Sequence, residues 1–387
     1  MKTIIRYSFF CLSIFILDSC RKPEKTEALL LEKLQEKKTY EKILSYTHEI
    51  GIDTTLAAKR GPLGLLEEIS YGHKPQHIRY TAKVLQPDSA RIRDAAWALV
   101  EGKNKNIDKV LAGLEPVFPA YVQLKSHYSR FLENGQADSA AIIAESLNAY
   151  RWINRQAQGA ERMVFVNTRG AYLKGFDASG SQKLSMRVIV GKTTSPTPGM
   201  DTYATNIIMY PYWNVPTNIA LKEMLPKIKE DEGYLEDNGM AVIDTKGDSV
   251  DVRSINWNEI SVDNFPYRFR QDNGEDNSLG LLKVNIKNPL AIYLHDTNVR
   301  TLFVNDQRWR SHGCVRLQYP AQLANFLAGE HLLDDNFINE PITNQKPQST
   351  KLKQKVPVFI FYLGADINDS GQLVFFKDVY NWNNKVA

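Results

Sequence analysis

The sequence predicts an α+β protein, with a helical N-terminal region followed by a mostly β region. Between residues 26 and 158, apolar residues recur at helical spacing among glutamates and lysines. From residue 161 onward, short runs of β-branched and aromatic residues are separated by glycine-containing turn signals. Many short strands with few helices favour a mixed or mostly antiparallel β region, such as a sandwich.

The N-terminus has the pattern of an export signal. Lys2 and Arg6 precede an apolar run over residues 9–17, which is too short to cross a bilayer of about 30 Å as a helix. The segment ends in Leu17-Asp18-Ser19-Cys20, which resembles the lipobox of bacterial lipoproteins. We therefore expect a lipoprotein signal peptide over residues 1–19 and lipidation of Cys20, which implies a periplasmic, membrane-anchored protein of the cell envelope. The alternative is an ordinary secretory signal with an incidental cysteine.

The helical region is expected to be a packing domain over residues 20–160. Its clearest helical stretches are residues 89–100, 121–132 and 139–153, each with apolar residues on one stripe. Four histidines lie in this region without the spacing of metal ligands: His48, His73, His77 and His127. We interpret them as surface or packing residues.

The second domain is expected over residues 161–387. The strand candidates are residues 163–166, 186–190, 203–209, 281–286, 291–295, 356–362 and 373–376. The last two flank the turn signal Asn368-Asp369-Ser370-Gly371, which predicts a hairpin. Residues 220–280 interrupt the strand pattern with a possible helix at 221–229 and a polar, aromatic-rich stretch, and we expect this insertion to form an ordered cap.

Charge and cysteine content narrow the function. The 387 residues carry 48 basic and 44 acidic side chains, interspersed along the chain, which argues against nucleic acid as the main partner. The three cysteines are Cys11, Cys20 and Cys314; the first leaves with the signal and the second would carry lipid. Cys314 is then the lone thiol in an oxidising compartment, which calls for burial or a chemical role.

The segment around Cys314 carries the candidate chemistry. Cys314 follows His312 and Gly313, and His295 lies nineteen residues upstream at the end of a predicted strand. A thiol with a pKa near 8.5 needs a neighbouring imidazole or positive charge to react at neutral pH. Gly313 lets the backbone approach a substrate, and the N–H groups of Gly313 and Cys314 are candidates for an oxyanion hole.

Two other interpretations of these residues were weighed. His295, His312 and Cys314 are potential zinc ligands, but no fourth ligand stands at typical spacing and there is no Cys-x-x-Cys pair. A purely structural cysteine explains neither the two histidines nor the glycine.

The run Ser311-His312-Gly313-Cys314-Val315-Arg316, with His295 upstream, resembles the signature of the YkuD-type L,D-transpeptidases. Further segments resemble the large YcbB-like subgroup of that family, including its helical scaffold domain: residues 114–116, 119–121, 166–167, 186–192, 196–198, 212–216, 265–268 and 356–358. The resemblance implies a YkuD-like sandwich as the catalytic domain, with residues 220–280 as its capping subdomain.

The resemblance also implies site roles. Cys314 would be the nucleophile and His295 its base, with Asp296 or its backbone carbonyl as the third element of the triad. His312 and Gly313 would shape the oxyanion hole. The implied substrate-binding residues are Arg316, Ser311, Tyr293 and Trp213. Neither a metal nor a cofactor is expected.

The implied substrates are peptidoglycan stem peptides, with a tetrapeptide donor and a diaminopimelate acceptor. Acyl transfer through a thioester of Cys314 would release D-alanine and form a 3→3 cross-link. The sequence leaves open an L,D-carboxypeptidase, in which water is the acceptor, and attachment of an envelope protein to peptidoglycan. A non-catalytic wall-binding lipoprotein is disfavoured, because His295, His312 and Cys314 are all present.

Overall fold

The computed structural model of the chain describes residues 26–102, 106–342 and 345–382. The predicted signal peptide and Cys20 lie outside these residues. Within them, no helix combines the length and the apolar character that a bilayer crossing requires.

The N-terminal region is helical, as predicted. Its helices are α1 (Glu27–Leu34), α2 (Lys37–Glu49), α3 (Thr54–Ala57), α4 (Gly61–Tyr71), α5 (Ser89–Glu101), α6 (Ile107–Ala112), α7 (Pro119–Glu133) and α8 (Ala137–Gln156). Local signals set their starts, since the Asp88 carboxylate accepts the N–H groups of Ala90 and Arg91 at 3.0 and 3.1 Å at the start of α5. Leu30, Leu65 and Leu111 lie fully buried in a core that belongs to the first six helices.

Strands dominate from residue 162 onward. The strands are β1 (Ile78–Thr81), β2 (Arg162–Asn167), β3 (Tyr172–Asp177), β4 (Gln182–Gly191), β5 (Gly199–Met209), β6 (Trp213–Asn214), β7 (Met240–Ile243), β8 (Ser249–Val250), β9 (Arg268–Gln271), β10 (Leu282–Ile286), β11 (Tyr293–His295), β12 (Trp309–Ser311), β13 (Val315–Leu317), β14 (Gln348–Phe361), β15 (Ala365–Ile367) and β16 (Leu373–Phe375). The α+β prediction is therefore confirmed. The change from helix to strand falls between α8 and β2.

The main sheet runs in the order β1-β5-β10-β11-β13-β4-β3-β2-β14, and β12 pairs with β4. Because β14 pairs with both β2 and β5, the path of pairings closes and the sheet encloses one apolar core. The period-2 alternation of the strands divides their side chains between two cores. Val164 and Val166 point into the enclosed core, whereas Phe165 packs outside it with α7 and α8.

The outer core fixes the helical region to the sheet. Trp152 on α8 donates its indole N–H to the Asp201 carboxylate on β5 at 2.9 Å. Ser146, one and a half turns earlier, donates to the carbonyl oxygen of Ala365 at 2.7 Å. The sequence places no signal on β1, which extends the sheet by parallel pairing with β5 although it lies between two helices of the N-terminal region.

The insertion forms a small unit with its own sheet and core. Strands β6, β9, β7 and β8 pair in that order, and α9 (Thr217–Ile219), a π-helical turn (Ala220–Met224), α10 (Leu225–Glu230) and α11 (Tyr234–Asp237) pack on them. Ile228, Leu235 and Phe269 are fully buried there. The predicted helix at 221–229 is confirmed, with the π-helical turn as an unpredicted feature.

The C-terminal hairpin has the predicted turn but a different pair of strands. Its turn lies at residues 368–371 as predicted, but Leu373–Phe375 pairs with the separate short strand β15 rather than with β14. The last residues of β14 pair with β2 on one side and with β5 on the other, so they have no free edge at which Leu373–Phe375 could pair. The remaining helix is α12 (Pro320–Ala328), which packs against the enclosed core.

Candidate active site

Three neighbouring strands, β10, β11 and β13, build the floor of the site. Their side chains alternate between the enclosed core and the opposite face of the sheet. The core side carries Val284, Leu294 and Val315, all fully buried. The opposite face carries Lys283, Tyr293, His295 and Arg316. The register pairs His295 with Lys283 across the antiparallel strand and with Arg316 across the parallel strand.

Cys314 lies directly before β13, on the same face as Arg316, and is half-buried. Its thiol lies 3.7 Å from the carbonyl oxygen of Ala291, a non-glycine residue with a φ of 55°. Burial raises the pKa of the Cys314 thiol, whereas the N–H and hydroxyl of Tyr293 and the charges of Lys283 and Arg316 lower it. Burial therefore keeps the thiol protonated, while four neighbouring groups are placed to stabilise a thiolate.

His295 is 4% exposed at the end of β11. Burial, followed by the charge of Arg316, lowers the pKa of His295 to about 3, and Lys283 acts in the same direction. The backbone carbonyls of Asp296 and Leu279 oppose this shift, although Nδ1 meets neither in good hydrogen-bonding geometry. The imidazole is neutral at physiological pH, which is the form that can accept a proton.

The Asp296 carboxylate is engaged away from the histidine. One oxygen accepts the N–H of Leu281 at 2.9 Å, and the other pairs with Arg300. Gly280, with a φ of 61°, lies so close to this carboxylate that a Cβ atom would collide with it. The Asp296 side chain is therefore committed to groups other than His295, and the identity of the third triad element stays a prediction.

Ser311 uses its hydroxyl within the turn that presents the cysteine. Its Oγ donates to the carbonyl oxygen of Cys314 at 2.6 Å and accepts the N–H of Gly313 at 3.1 Å. The hydroxyl is thus engaged within the turn that presents the nucleophile. The N–H of Gly313, expected in an oxyanion hole, is committed to Ser311, which leaves the N–H of Cys314 as the backbone donor of that pair.

Thr197 is a positioning residue that the sequence did not reveal. It is fully buried, accepts the N–H of Gly191 at 2.8 Å and donates to the carbonyl oxygen of Gly313 at 2.8 Å. Gly313 has a φ of 123°, in the region that favours glycine. Tyr380 braces the same turn by donating its hydroxyl to the Gly191 carbonyl at 2.6 Å.

His312 contacts the insertion through its ring. Its Nε2 lies 2.9 Å from the Glu223 carboxylate, which belongs to the π-helical turn of the insertion. Both side chains are more than a third exposed. The pair links the cysteine loop to the insertion, and the part of His312 in shaping the oxyanion hole stays a prediction.

The predicted residues line one cavity of about 270 Å³. From the sheet come Tyr293, His295, Cys314 and Arg316, together with Ser311 and His312. From the start of the insertion come Trp213, Pro216, Asn218 and Ile219. Trp213 also lies beside the Tyr293 hydroxyl and opposes the rise that burial causes in its pKa. The structure therefore brings every predicted site residue that it describes to this region, although Gly313 and Asp296 are not part of the cavity lining.

Lys283 is a second residue that sequence reasoning missed. Its ammonium lies 4.0 Å from the centroid of the Tyr293 ring, and burial lowers its pKa while the nearby Cys314 raises it. Its position on a strand candidate gave no signal in the sequence, because only the pairing of β10 with β11 places it beside His295.

The profile of the YkuD L,D-transpeptidase catalytic domain matches residues 161–360, which is more than half of the chain. The chain belongs to this family. A Haemophilus influenzae protein assigned as an L,D-transpeptidase is 36% identical over 224 residues. That match covers 58% of this chain and 45% of the relative, so the chain spans less than half of the relative's length.

Solved structures of L,D-transpeptidases are also similar to the chain. The catalytic domain of the E. faecium L,D-transpeptidase acylated by ertapenem is 13% identical, with 52% of this chain and 97% of that chain covered and a TM-score of 0.26. The Mycobacterium tuberculosis L,D-transpeptidase 1 is 12% identical, with 52% and 60% covered and a TM-score of 0.21.

Proposed function

We propose that this L,D-transpeptidase-family protein is a peptidoglycan acyltransferase that uses Cys314 as its nucleophile and His295 as its base. One observation carries the proposal: the thiol and a neutral imidazole lie on the same face of adjoining strands and line one cavity under the cap. A neutral imidazole beside a buried thiol is the arrangement from which a base-activated nucleophile starts.

In the first half-reaction, His295 takes the thiol proton and the sulfur attacks the carbonyl carbon of the third, L-centre residue of a tetrapeptide stem. The N–H of Cys314 is placed to donate to the oxyanion that develops. When the intermediate collapses, the C–N bond breaks, His295 returns the proton to the leaving amine, and D-alanine departs. A thioester of Cys314 remains.

In the second half-reaction, the side-chain amine of a diaminopimelate on a neighbouring stem attacks the thioester. His295 takes the amine proton and passes it to the departing sulfur, which restores the thiol and yields a 3→3 cross-link. Water in the same position gives a tripeptide, and an amine of an envelope protein gives attachment to the wall. Trp213 and Ile219 support an amine acceptor, because apolar walls from the cap reduce the access of water.

Arg316, Tyr293 and Trp213 are proposed to bind the donor stem. The Arg316 Nε is buried without a hydrogen-bond partner, so a substrate carboxylate or carbonyl would satisfy it. Ser311 and Gly313 hold the shape of the cysteine turn, and His312 holds the cap through Glu223.

The test is incubation of the purified protein with diaminopimelate-containing muropeptides, followed by mass spectrometry. We expect cross-linked dimers that lack one D-alanine, with Cys314→Ala inactive. Tripeptides alone would favour the carboxypeptidase. If the Cys314→Ala protein made as much product as the wild type, the nucleophile would be another group and the proposal would fail.

Cys20, which lies outside the described residues, is proposed to carry a lipid that anchors the protein in the cell envelope. A Cys20→Ala variant should then move from the membrane fraction to the soluble fraction. Its retention in the membrane fraction would contradict the lipid anchor without affecting the proposed chemistry.

A further inference from the structure

Lys283 and Arg316 are cations without anionic partners. Neither forms an ion pair with a carboxylate within residues 26–102, 106–342 and 345–382, and the Arg316 Nε is buried with no hydrogen-bond partner. Two carboxylates of this region are engaged by other side chains, because Asp296 holds Arg300 and Glu223 holds His312. Both side chains are half-buried, and partly desolvated positive charge without an anionic partner is costly, so its retention points to a negative ligand.

The two cations flank the reacting groups. Lys283 and Arg316 are the register partners of His295 on its two neighbouring strands, and both are close enough to Cys314 to act on its charge. A carboxylate held between them would therefore lie beside the carbonyl that the sulfur attacks. On a stem peptide, the carboxylate of the leaving residue is separated from that carbonyl carbon by only the amide nitrogen and one carbon.

We propose that Lys283 and Arg316 form a carboxylate subsite that binds the free C-terminal carboxylate of the leaving D-amino acid. This inference rests on the proposed function and adds that the site recognises the free carboxylate of the donor. A donor in which another residue follows the scissile bond has no carboxylate at that place, and it leaves both cations unpaired. The subsite thus selects stems whose scissile residue is the last one.

The other carboxylate near the scissile bond is less well placed. The carboxylate at the D-centre of diaminopimelate stands at the far end of that residue's flexible side chain, separated from the scissile carbonyl by more bonds than the carboxylate of the leaving residue. Binding of the leaving residue's carboxylate has a further effect. It offsets the two positive charges that oppose protonation of His295, so the base gains affinity for the thiol proton when a correct donor is bound.

The experiment compares synthetic tetrapeptide donors that end in D-alanine or in D-alaninamide, with the full chain. Acylation of Cys314 is followed by intact-protein mass spectrometry, and binding to the Cys314→Ala protein by calorimetry. We expect the carboxamide to lower both the rate of acylation and the affinity by about 10- to 100-fold, the value of a hydrogen bond to a charged group. Lys283→Met should lose most of this discrimination. Lys287→Met, a change at an exposed lysine just beyond the end of β10, should keep it.

Three results would overturn the subsite. Equal affinity of the two donors for the Cys314→Ala protein would show that the protein does not bind the carboxylate. Undiminished discrimination by Lys283→Met would remove Lys283 from the subsite. A loss confined to a donor amidated at the diaminopimelate D-centre would assign the cations to that carboxylate instead. Binding discrimination without acylation of the wild type would contradict the proposed function while leaving the subsite supported.

Discussion

The Tyr293 hydroxyl offers the sharpest test of how the thiol is activated. Its O–H lies beside the Cys314 sulfur and lowers the pKa of the thiol, and the Trp213 side chain lies beside the phenol oxygen. Tyr293→Phe removes this donor but keeps the ring on which the Lys283 ammonium rests. Since a hydrogen bond stabilises the thiolate and not the thiol, its loss raises the pKa of Cys314.

A hydrogen bond to a charged group contributes about 1.5–3 kcal/mol, so alkylation of Cys314 by iodoacetamide at neutral pH should slow by about 10- to 100-fold. The difference should close at high pH, where both proteins hold a thiolate. Tyr319→Phe, a change at an exposed tyrosine beyond the motif, should leave the rate unaltered. An unchanged alkylation profile for Tyr293→Phe would refute the assignment of its hydroxyl to the thiolate.

Three further experiments test the residues that position Cys314 and the protonation state of His295. Thr197→Val should destabilise the fold by about 1–3 kcal/mol for each of the two backbone groups it strands, measured by denaturant unfolding, and Thr197→Ser should restore stability. Asp296→Asn should cost about 1–3 kcal/mol of stability by weakening the Arg300 pair, so loss of activity with unaltered stability would instead support a catalytic carboxylate. The pH dependence of kcat/KM for acylation should show no acid limb near pH 6.5, because burial and Arg316 lower the pKa of His295 to about 3; a limb at 6.5 would refute a buried neutral base.

The parts of the fold that were predictable are those with strong local periodicity. The helices α5, α7 and α8 and most strands of the main sheet lie where their apolar spacing placed them, because each buries one face against a core. β1 escaped prediction because its alternation of apolar and polar side chains covers only four residues between two helices, and its pairing with β5 makes them a strand. The π-helical turn in the cap likewise has no local sequence signal.

The site residues also divide into those that a local motif predicts and those that only the folded structure brings together. His295 and Cys314 were found because a short motif and its spacing carry chemistry that can be read along the chain. Lys283 and Thr197 were missed because their roles come from contacts across the sheet, with His295 on the next strand and with the Gly313 carbonyl across more than a hundred residues. The role of His312 depends equally on a distant partner, Glu223, whose approach no spacing could indicate.

The charges around Cys314 also bear on its survival as a lone thiol. The reactive species in oxidation is the thiolate, and burial favours the protonated form of the resting Cys314, while Arg316 and Lys283 oppose protonation of His295 as long as no donor is bound. In the oxidising compartment that we propose, this pairing protects the nucleophile between turnovers. The same cations that would favour a thiolate also oppose an imidazolium. A substrate carboxylate between Lys283 and Arg316 therefore changes the protonation equilibria of Cys314 and His295 together. Protection of the thiol and selection of the donor would then have one physical origin.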